Sequence, residues 1–193
     1  IKPAGKRSST RALLAARAQG RARNRGTPKG ALGEMEANLR PFLDRRGFTS
    51  LMQGRDGSKK ELAANFQADT HSVLFALKSF MTGVDFAGDT CRLVIIDKMP
   101  FPVPTDVMFQ ARCADVDAKA GRSASFGKMS MPAMTLTLLQ AFGRLIRSKT
   151  DTGVVAILDS RLVSTGYGKQ VVKAMPDCQA TTNLADVRAF YGE

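Results

Sequence analysis

A basic stripe on one predicted helix is the strongest sign of chemistry in the chain. Residues 138–147 read LLQAFGRLIR, and at about 100° per residue of an α-helix their polar positions share one face. These positions are Gln140, Gly143, Arg144 and Arg147. An arginine makes forked contacts with phosphate oxygens, and a rigid helix can hold it where charge develops during phosphoryl transfer. Periodicity alone leaves open the plainer alternative, a solvated basic face.

A second candidate segment precedes a predicted buried strand. Residues 80–86 read FMTGVDF. Gly83 permits a close approach of the backbone to a ligand, and we expect the Asp85 carboxylate at the carboxyl end of a strand, where open α/β sheets bind ligands. An ordinary glycine-aspartate turn is the alternative interpretation of this pattern.

Alternating helix and strand patterns surround both segments. Helices are predicted from Ala31 through Leu43, from Ser58 with its capping-box partner Glu61, over 107–118, from about Pro132, and over 167–174. Strands are predicted over 49–53, 72–77, 92–97 and 153–158, several of them apolar on both faces as in a covered parallel sheet. Residues 100–106 hold three alternating prolines and predict a rigid surface connector, and a polar Gly/Ser loop is predicted before Pro132. The β-α-β alternation predicts an α/β doubly wound domain.

The charge of the chain is concentrated at its start. The net charge is +12 over 193 residues, and residues 1–30 hold nine Lys or Arg and no acid, which leaves 20 basic against 17 acidic residues, or +3, for residues 31–193. We interpret residues 1–30 as a disordered or loosely helical basic arm that either contacts phosphates or is a solvated tail or an artefact of the reading frame. The excess of positive charge suits nucleic acid as a partner.

Several classes of protein are disfavoured by composition. Three cysteines, Cys91, Cys113 and Cys178, match neither a disulfide framework nor the spacing of a metal site. No apolar run approaches the roughly 20 residues that cross a bilayer, and no signal peptide is visible. We therefore expect no metal ligands in this chain, no membrane partner and a cytoplasmic location.

The two candidate segments resemble motifs of a known family in order and spacing. Residues 140–147, QAFGRLIR, resemble motif VI of the DinG and XPD helicases of superfamily two, and residues 80–86 resemble motif V. Residues 93–106 resemble the strand and proline-rich loop that follow motif V in that family, and residues 153–161 with the Tyr167-Gly168 pair resemble its closing strand and tail. The resemblance spans roughly residues 30–176.

The resemblance implies a RecA-like, doubly wound, mainly parallel sheet flanked by helices. It implies a second motor domain over residues 31–176, between the arm and a C-terminal tail over 177–193. In the family an apolar strand precedes the helix that starts here near Ala31, whereas this chain has residues 21–30, RARNRGTPKG. The first strand of the sheet is therefore expected to be missing.

The same resemblance implies roles for individual residues. Arg144 and Arg147 would be catalytic arginine fingers on the γ-phosphate of ATP, and Gln140 would position that phosphate. Gly83 and Asp85 would also line the nucleotide. Nucleic-acid contacts would come from the residues around the start of motif V, namely Lys78, Ser79 and Thr82.

Parts of a complete motor are not found in the sequence. Residues 4–10, AGKRSST, place Arg7 where a P-loop requires Ser or Thr, and no DEAH-type box or four-cysteine set is present. ATP would then bind between this domain and a partner, either an upstream RecA-like domain of the same protein or one supplied by another chain. That partner would hold most of the Mg²⁺ coordination, and any iron–sulfur cluster would lie outside this chain. The chain alone is expected to be inactive as an ATPase.

The resemblance thus implies the C-terminal motor domain of an ATP-dependent, 5′–3′ DNA helicase acting on single-stranded DNA. Its pathway stays open among DNA repair, service to a mobile element and a CRISPR-linked system. Two alternatives remain open at the level of sequence. One is a noncatalytic basic module that binds nucleic acid through the arm and the arginine stripe. The other is a truncated gene product without activity.

Overall fold

A parallel five-stranded sheet forms the centre of the unit Ile1–Asp159. The computed structural model describes residues 12–15, 28–80, 91–103, 105–145 and 151–192. The strands are β1 (Ala12–Ala15), β2 (Thr49–Met52), β3 (Ser72–Ala76), β4 (Leu93–Ile96) and β5 (Val154–Ile157). Their spatial order is β2-β3-β1-β4-β5, and every neighbouring pair is parallel. The predicted doubly wound sheet is confirmed.

Strand β1 corrects two expectations. It lies within residues 1–30, the segment predicted to be a disordered arm, and it occupies the centre of the sheet. Ala12 pairs with Val73 of β3 on one side and with Leu93 of β4 on the other, so the prediction of a missing first strand is wrong. The four apolar residues ALLA suit a strand that is paired on both sides. The sequence did not predict this strand, because alanine favours helix and the surrounding arginines made the segment resemble a basic arm.

Four longer helices accompany the sheet in the unit Ile1–Asp159. They are α1 (Pro28–Asp44), α2 (Lys59–Ala68), α3 (Val107–Ala120) and α4 (Met131–Leu145). The predicted capping box of α2 is confirmed, because Ser58 Oγ accepts from the Glu61 amide at 3.3 Å and Glu61 Oε2 accepts from the Ser58 amide at 2.7 Å. Asp106 caps α3 by accepting from the Phe109 amide at 3.1 Å.

The stretch between α3 and α4 differs from the predicted polar loop. A π-helical turn, Phe126–Ser130, leads directly into α4. The carboxylate of Asp117 in α3 accepts from the Ser125 amide at 2.7 Å and from the Ser125 hydroxyl at 2.9 Å. These two bonds fix the chain just before the turn. The small polar residues that predicted a loop therefore begin a helical segment instead.

The core lies on both sides of the sheet. All five residues of β3 are buried, and Leu32, Leu43, Val73 and Phe75 form one apolar cluster between α1 and the sheet. From α4, Met134, Leu138 and Ala141 are buried, and α2 contributes Leu62 and Phe66. Burying a side chain of this size stabilises the fold by about 1.5–3 kcal/mol. These contacts hold the helices firmly on the sheet, so the residues on their exposed faces have fixed positions.

The second unit, Ser160–Glu193, contains helices joined by non-helical segments in its described residues. It contains α5 (Arg161–Ser164), α6 (Gly166–Ala174) and α7 (Leu184–Tyr191). Helix α6 matches the last helix predicted from sequence, whereas α7 lies in the segment predicted as a tail. Across the described ranges of both units, no helix has the length and apolar character needed to span a membrane.

Candidate functional site

Helix α4 presents a polar face, as its periodicity predicts. Leu138, Ala141 and Leu145 are buried, whereas Gln140 and Gly143 are exposed. The backbone of Arg144 lies in the last turn of α4. The side chain of Arg144 and the whole of Arg147 lie outside the described residues, so the structure shows the exposure of Gln140 and Gly143 alone and the rest of the face stays a prediction.

The end of α4 lies at the amino edge of the sheet. A Cβ built on Gly153, just before β5, would come within 2.6 Å of Leu145 Cδ1 and within 2.7 Å of the Arg92 carbonyl oxygen, just before β4. The last turn of α4, which includes the Arg144 backbone, is therefore packed against the amino ends of β4 and β5.

A different set of polar residues lies at the carboxyl edge. Parallel strands end at one edge of their sheet, and here Gln53 follows β2 while Lys78 and Ser79 follow β3. At the same edge the buried Asp159, after β5, accepts from the Met99 amide, after β4, at 3.0 Å. The structure thus places the predicted Lys78 and Ser79 at the carboxyl edge and the end of α4 at the opposite one.

Three predicted site residues, Thr82, Gly83 and Asp85, lie outside the described residues. Residues 81–90 connect the 3₁₀ turn Lys78–Phe80, at the carboxyl edge, with Cys91 and Arg92 at the amino edge. One segment of ten residues therefore joins the edge that carries Ser79 to the edge where α4 ends.

Ser79 is held by two side chains that sequence reasoning missed. Gln53 Nε2 donates to Ser79 Oγ at 3.0 Å, and Gln53 Oε1 accepts from the Leu77 amide at 2.9 Å. The ammonium of Lys59 donates to the Ser79 carbonyl oxygen and lies 5.4 Å from the centroid of the Phe80 ring. The position of Gln53 directly after β2 was the available signal, since it puts the amide at the carboxyl edge.

The loop between β2 and α2 rests on a buried carboxylate. Glu36 of α1 is only 2% exposed and accepts from Ser50 Oγ at 2.6 Å, from Arg55 Nη1 at 2.9 Å and from Arg40 Nη2 at 2.5 Å. Burial raises the pKa of Glu36, but the hydrogen bonds from Arg55, Ser50 and Arg40 outweigh it and leave that pKa below its ordinary value. The network ties α1, β2 and the loop together.

The second partner of Arg55 is the neighbouring Asp56. Asp56 Oδ1 accepts from Arg55 Nε at 2.7 Å, and Asp56 Oδ2 accepts from the Met52 amide at 2.8 Å. The hydrogen bond from Arg55 lowers the pKa of Asp56, and the bonds to Asp56 and then Glu36 raise the pKa of Arg55. All three groups are therefore charged near neutral pH.

Metal ligation is not provided by the described part of the chain. Within residues 28–80, 91–103, 105–145 and 151–192 no group of three or more His, Cys, Asp or Glu side chains is placed to hold a metal ion. Among the predicted site residues, the described side chains are those of Gln140, which is exposed, and of Lys78 and Ser79.

Comparison with known proteins places these features in a family. A family model described as helicase C-terminal domain matches residues 30–178. The ATP-dependent DNA helicase YoaA of Haemophilus influenzae is 42% identical over 149 residues, which are 77% of this chain and 23% of that protein. The ATP-dependent helicase DinG of Mycobacterium tuberculosis is 41% identical over 139 residues, 72% of this chain and 20% of that protein. The chain thus spans less than a quarter of these relatives.

A solved structure supports the same fold. It is described as the structure of S. tokodaii Xpd4, and it superimposes with a TM-score of 0.51 at 15% identity over 89% of this chain and 30% of that chain. At this identity the likeness bears on the fold alone. With a family match over most of its length and relatives above 40% identity, the chain belongs to the helicase C-terminal domain family and is of the DinG type.

Proposed function

We propose that the chain is the second motor domain of an ATP-dependent DNA helicase that moves along single-stranded DNA with 5′ to 3′ polarity. The observation that carries the proposal is the exposed polar face of α4, on which Gln140 and Gly143 lie opposite the buried Leu138 and Ala141. In sequence Arg144 follows Gln140 by one helical turn, and Arg147 follows Arg144 by nearly another.

The nucleotide would be bound beside the end of α4. There Arg144 and Arg147 would contact the γ-phosphate, Gln140 would orient it, and Gly83 and Asp85 would line the same pocket. A guanidinium on a rigid helix stabilises the charge that develops on the transferred phosphoryl group without reorganisation during the reaction. Mg²⁺, when bound, neutralises charge on the phosphates, and its ligands would come mainly from the upstream RecA-like domain.

Single-stranded DNA would lie along the carboxyl edge. Lys78 and Ser79 are described there, and Thr82 follows them in sequence. Contacts of ammonium and hydroxyl groups with phosphate oxygens position a strand without reading its sequence. Because residues 81–90 join this edge to the edge where α4 ends, a change in the nucleotide pocket would be transmitted to the DNA contact.

Hydrolysis would need a partner domain. No P-loop is present in the sequence, so the phosphates would be cradled by an upstream RecA-like domain of the same protein, and this chain alone would be inactive. Relatives named ATP-dependent DNA helicase extend well beyond the part that resembles this chain, which supports this division of roles.

Substitution of one arginine tests the proposal. In the full-length protein that contains this chain, Arg147→Ala should lower the rate of ATP hydrolysis by about 10³-fold or more, the usual contribution of an arginine finger. Affinity for single-stranded DNA should change by no more than about threefold, because Arg147 is assigned to the nucleotide. Hydrolysis rates and DNA titration of the same preparation measure both quantities.

A matched control is Arg112→Ala, which removes an exposed arginine from α3 and should leave hydrolysis unchanged. Full ATP turnover by Arg147→Ala would reject the arginine-finger assignment.

A noncatalytic nucleic-acid-binding module is the second candidate, favoured by the nine basic residues among the first thirty. Such a module would bind DNA with a steep dependence on salt and would hydrolyse no ATP in any context. DNA-stimulated hydrolysis by the unsubstituted full-length protein therefore decides between the two functions.

A further inference from the structure

Two side chains from separate elements hold the turn that follows β3. Gln53, after β2, and Lys59, the first residue of α2, both bond to Ser79. We call this pair the brace. It lies at the carboxyl edge, directly before residues 81–90.

Gln53 uses both ends of its amide. The carbonyl oxygen accepts from the Leu77 amide at 2.9 Å, the amide nitrogen donates to the Ser79 hydroxyl at 3.0 Å, and the Gln53 backbone amide donates to the Phe75 carbonyl at 2.9 Å. The two side-chain bonds, together with the fixed backbone, leave the half-buried side chain little freedom. The Ser79 hydroxyl is thereby tied to the backbone of the neighbouring strand.

Lys59 holds the other side of the turn. Its ammonium donates to the Ser79 carbonyl oxygen and lies 5.4 Å from the ring centroid of Phe80, which is fully buried. Helix α2 is itself anchored in the core by Leu62 and Phe66, both with no exposed surface. The brace therefore connects the turn to rigid parts of the fold.

The direction of the Gln53 bond has a chemical consequence. An amide N–H donates to the Ser79 oxygen, so in this bond the hydroxyl acts as the acceptor and its position is fixed. Phosphate oxygens accept from hydroxyl groups, and hydroxyl contacts to phosphate fix the register of a nucleic-acid strand.

We propose that Gln53 and Lys59 are positioning residues that orient Ser79 toward the phosphate backbone of single-stranded DNA. The inference rests on the proposed function, since it concerns the DNA contact of that same motor domain. It predicts that the brace affects DNA binding and leaves nucleotide binding unchanged.

The test compares two kinetic constants in the full-length protein. One is the concentration of a thymidine homopolymer that gives half-maximal stimulation of ATP hydrolysis, and the other is the KM for ATP. Gln53→Met and Lys59→Met keep side-chain length but remove the bonds, so each should raise the first constant roughly three- to tenfold, the effect of losing about one hydrogen bond. The KM for ATP should stay within about twofold.

A double substitution asks whether Gln53 acts through Ser79. Ser79→Ala should raise the DNA constant by a similar factor, and adding it to Gln53→Met should cause little further change, since residues acting through one contact are not additive. Lys60→Met is the matched control, because it removes the same charge from the adjacent, exposed position of α2 and should have little effect.

Several outcomes would overturn the brace. Equal effects of Lys59→Met and Lys60→Met would mean that general charge attracts the DNA, and parallel changes in both constants with a lower melting temperature would indicate a purely structural role. If Gln53→Met fails to fold, Lys59→Met and Ser79→Ala still carry the comparison. If the unsubstituted protein shows no DNA-stimulated ATP hydrolysis, the proposed function itself is rejected. If DNA stimulates hydrolysis normally and neither Gln53→Met nor Lys59→Met changes the DNA constant, the role of the brace alone is rejected.

Discussion

Gly143 occupies an unusual position for a glycine, because it lies within the last turn of α4, two residues before the helix ends at Leu145, and not after that end. Glycine in a helix interior lowers stability by roughly 0.5–1 kcal/mol relative to alanine. Apart from its chain neighbours and the backbone of its own helix, no heavy atom of the described residues lies within 4 Å of the point where a Cβ would stand on Gly143. Within the described residues the missing side chain therefore has no steric reason, and the proposed function would place the nucleotide or the upstream domain beside this face.

Gly143→Ala should separate stability from activity. In the full-length protein we expect an equal or higher melting temperature, because the free energy of unfolding should rise by up to about 1 kcal/mol. The rate of ATP hydrolysis should fall at least roughly tenfold, since a methyl group would keep the opposing phosphate or domain at a distance. Differential scanning fluorimetry and steady-state hydrolysis measure the two effects.

Gly127→Ala is the control for Gly143, since Gly127 lies in the π-helical turn and also has open space at its Cβ position among the described residues. It should leave hydrolysis unchanged. Normal hydrolysis by Gly143→Ala would show that nothing approaches α4 closely at this point.

The candidate site was predictable only where one element carries it. The exposure of Gln140 followed from the helical period of residues 138–147, because one helix sets both its buried and its exposed face. The contact of Gln53 with Ser79 joins residues 26 positions apart. It depends on two strands lying side by side, which no local pattern encodes.

At the level of elements, the Glu36 network is what holds α1, β2 and the following loop in register. Hydrogen bonds from Arg55, Ser50 and Arg40 keep the pKa of Glu36 below its value in the unfolded chain despite burial. The stabilisation from such a group is complete above the unfolded pKa, near 4.3, and is lost as the pH falls through the lower pKa of the folded state.

Glu36→Gln should therefore weaken and flatten the acid response of the chain. We expect the free energy of unfolding at pH 7 to fall by about 2 kcal/mol, a modest figure because solvent screens the partly exposed Arg40 and Arg55. Below about pH 4.3 the difference from the unsubstituted chain should shrink. Urea unfolding followed by circular dichroism at pH 7, 5, 4 and 3 measures the trend.

Glu34→Gln is the companion variant, since Glu34 is exposed on the same helix, and it should change the free energy of unfolding by less than about 0.5 kcal/mol. An identical pH dependence for Glu36→Gln and the unsubstituted chain would contradict the role given to the network.

Helices and strands with a clear pattern in their own sequence were predictable. Those whose structure depends on contacts with other elements were not. Ser58 and Glu61 marked the start of α2, and the aliphatic runs marked β3 and β4. Strand β1 has four residues of weak β propensity, and its pairing with β3 and β4 is what makes it a strand. The π-helical turn likewise depends on the Asp117 carboxylate of another helix.

For the whole molecule, the central position of β1 makes the first part of the chain essential to the fold. Leu13→Pro removes a backbone donor from a strand that is paired on both sides, a position where proline is not tolerated. We expect a loss of about 3 kcal/mol or more, seen as a lower urea midpoint.

Ala180→Pro serves as the comparison for Leu13→Pro, because Ala180 is exposed in the stretch between α6 and α7, and it should shift the midpoint little. A midpoint for Leu13→Pro equal to that of the unsubstituted chain would show that the sheet does not require β1.

The central place of β1 also bears on how the chain is made. A ribosome releases Ala12 long before its partners Val73 and Leu93, so the middle of the sheet leaves the exit tunnel first and waits for roughly sixty to eighty further residues. Pairings this distant in sequence are slow to form, and unpaired strand edges are prone to aggregation. Nascent chains should therefore depend on chaperones until β4 has been synthesised.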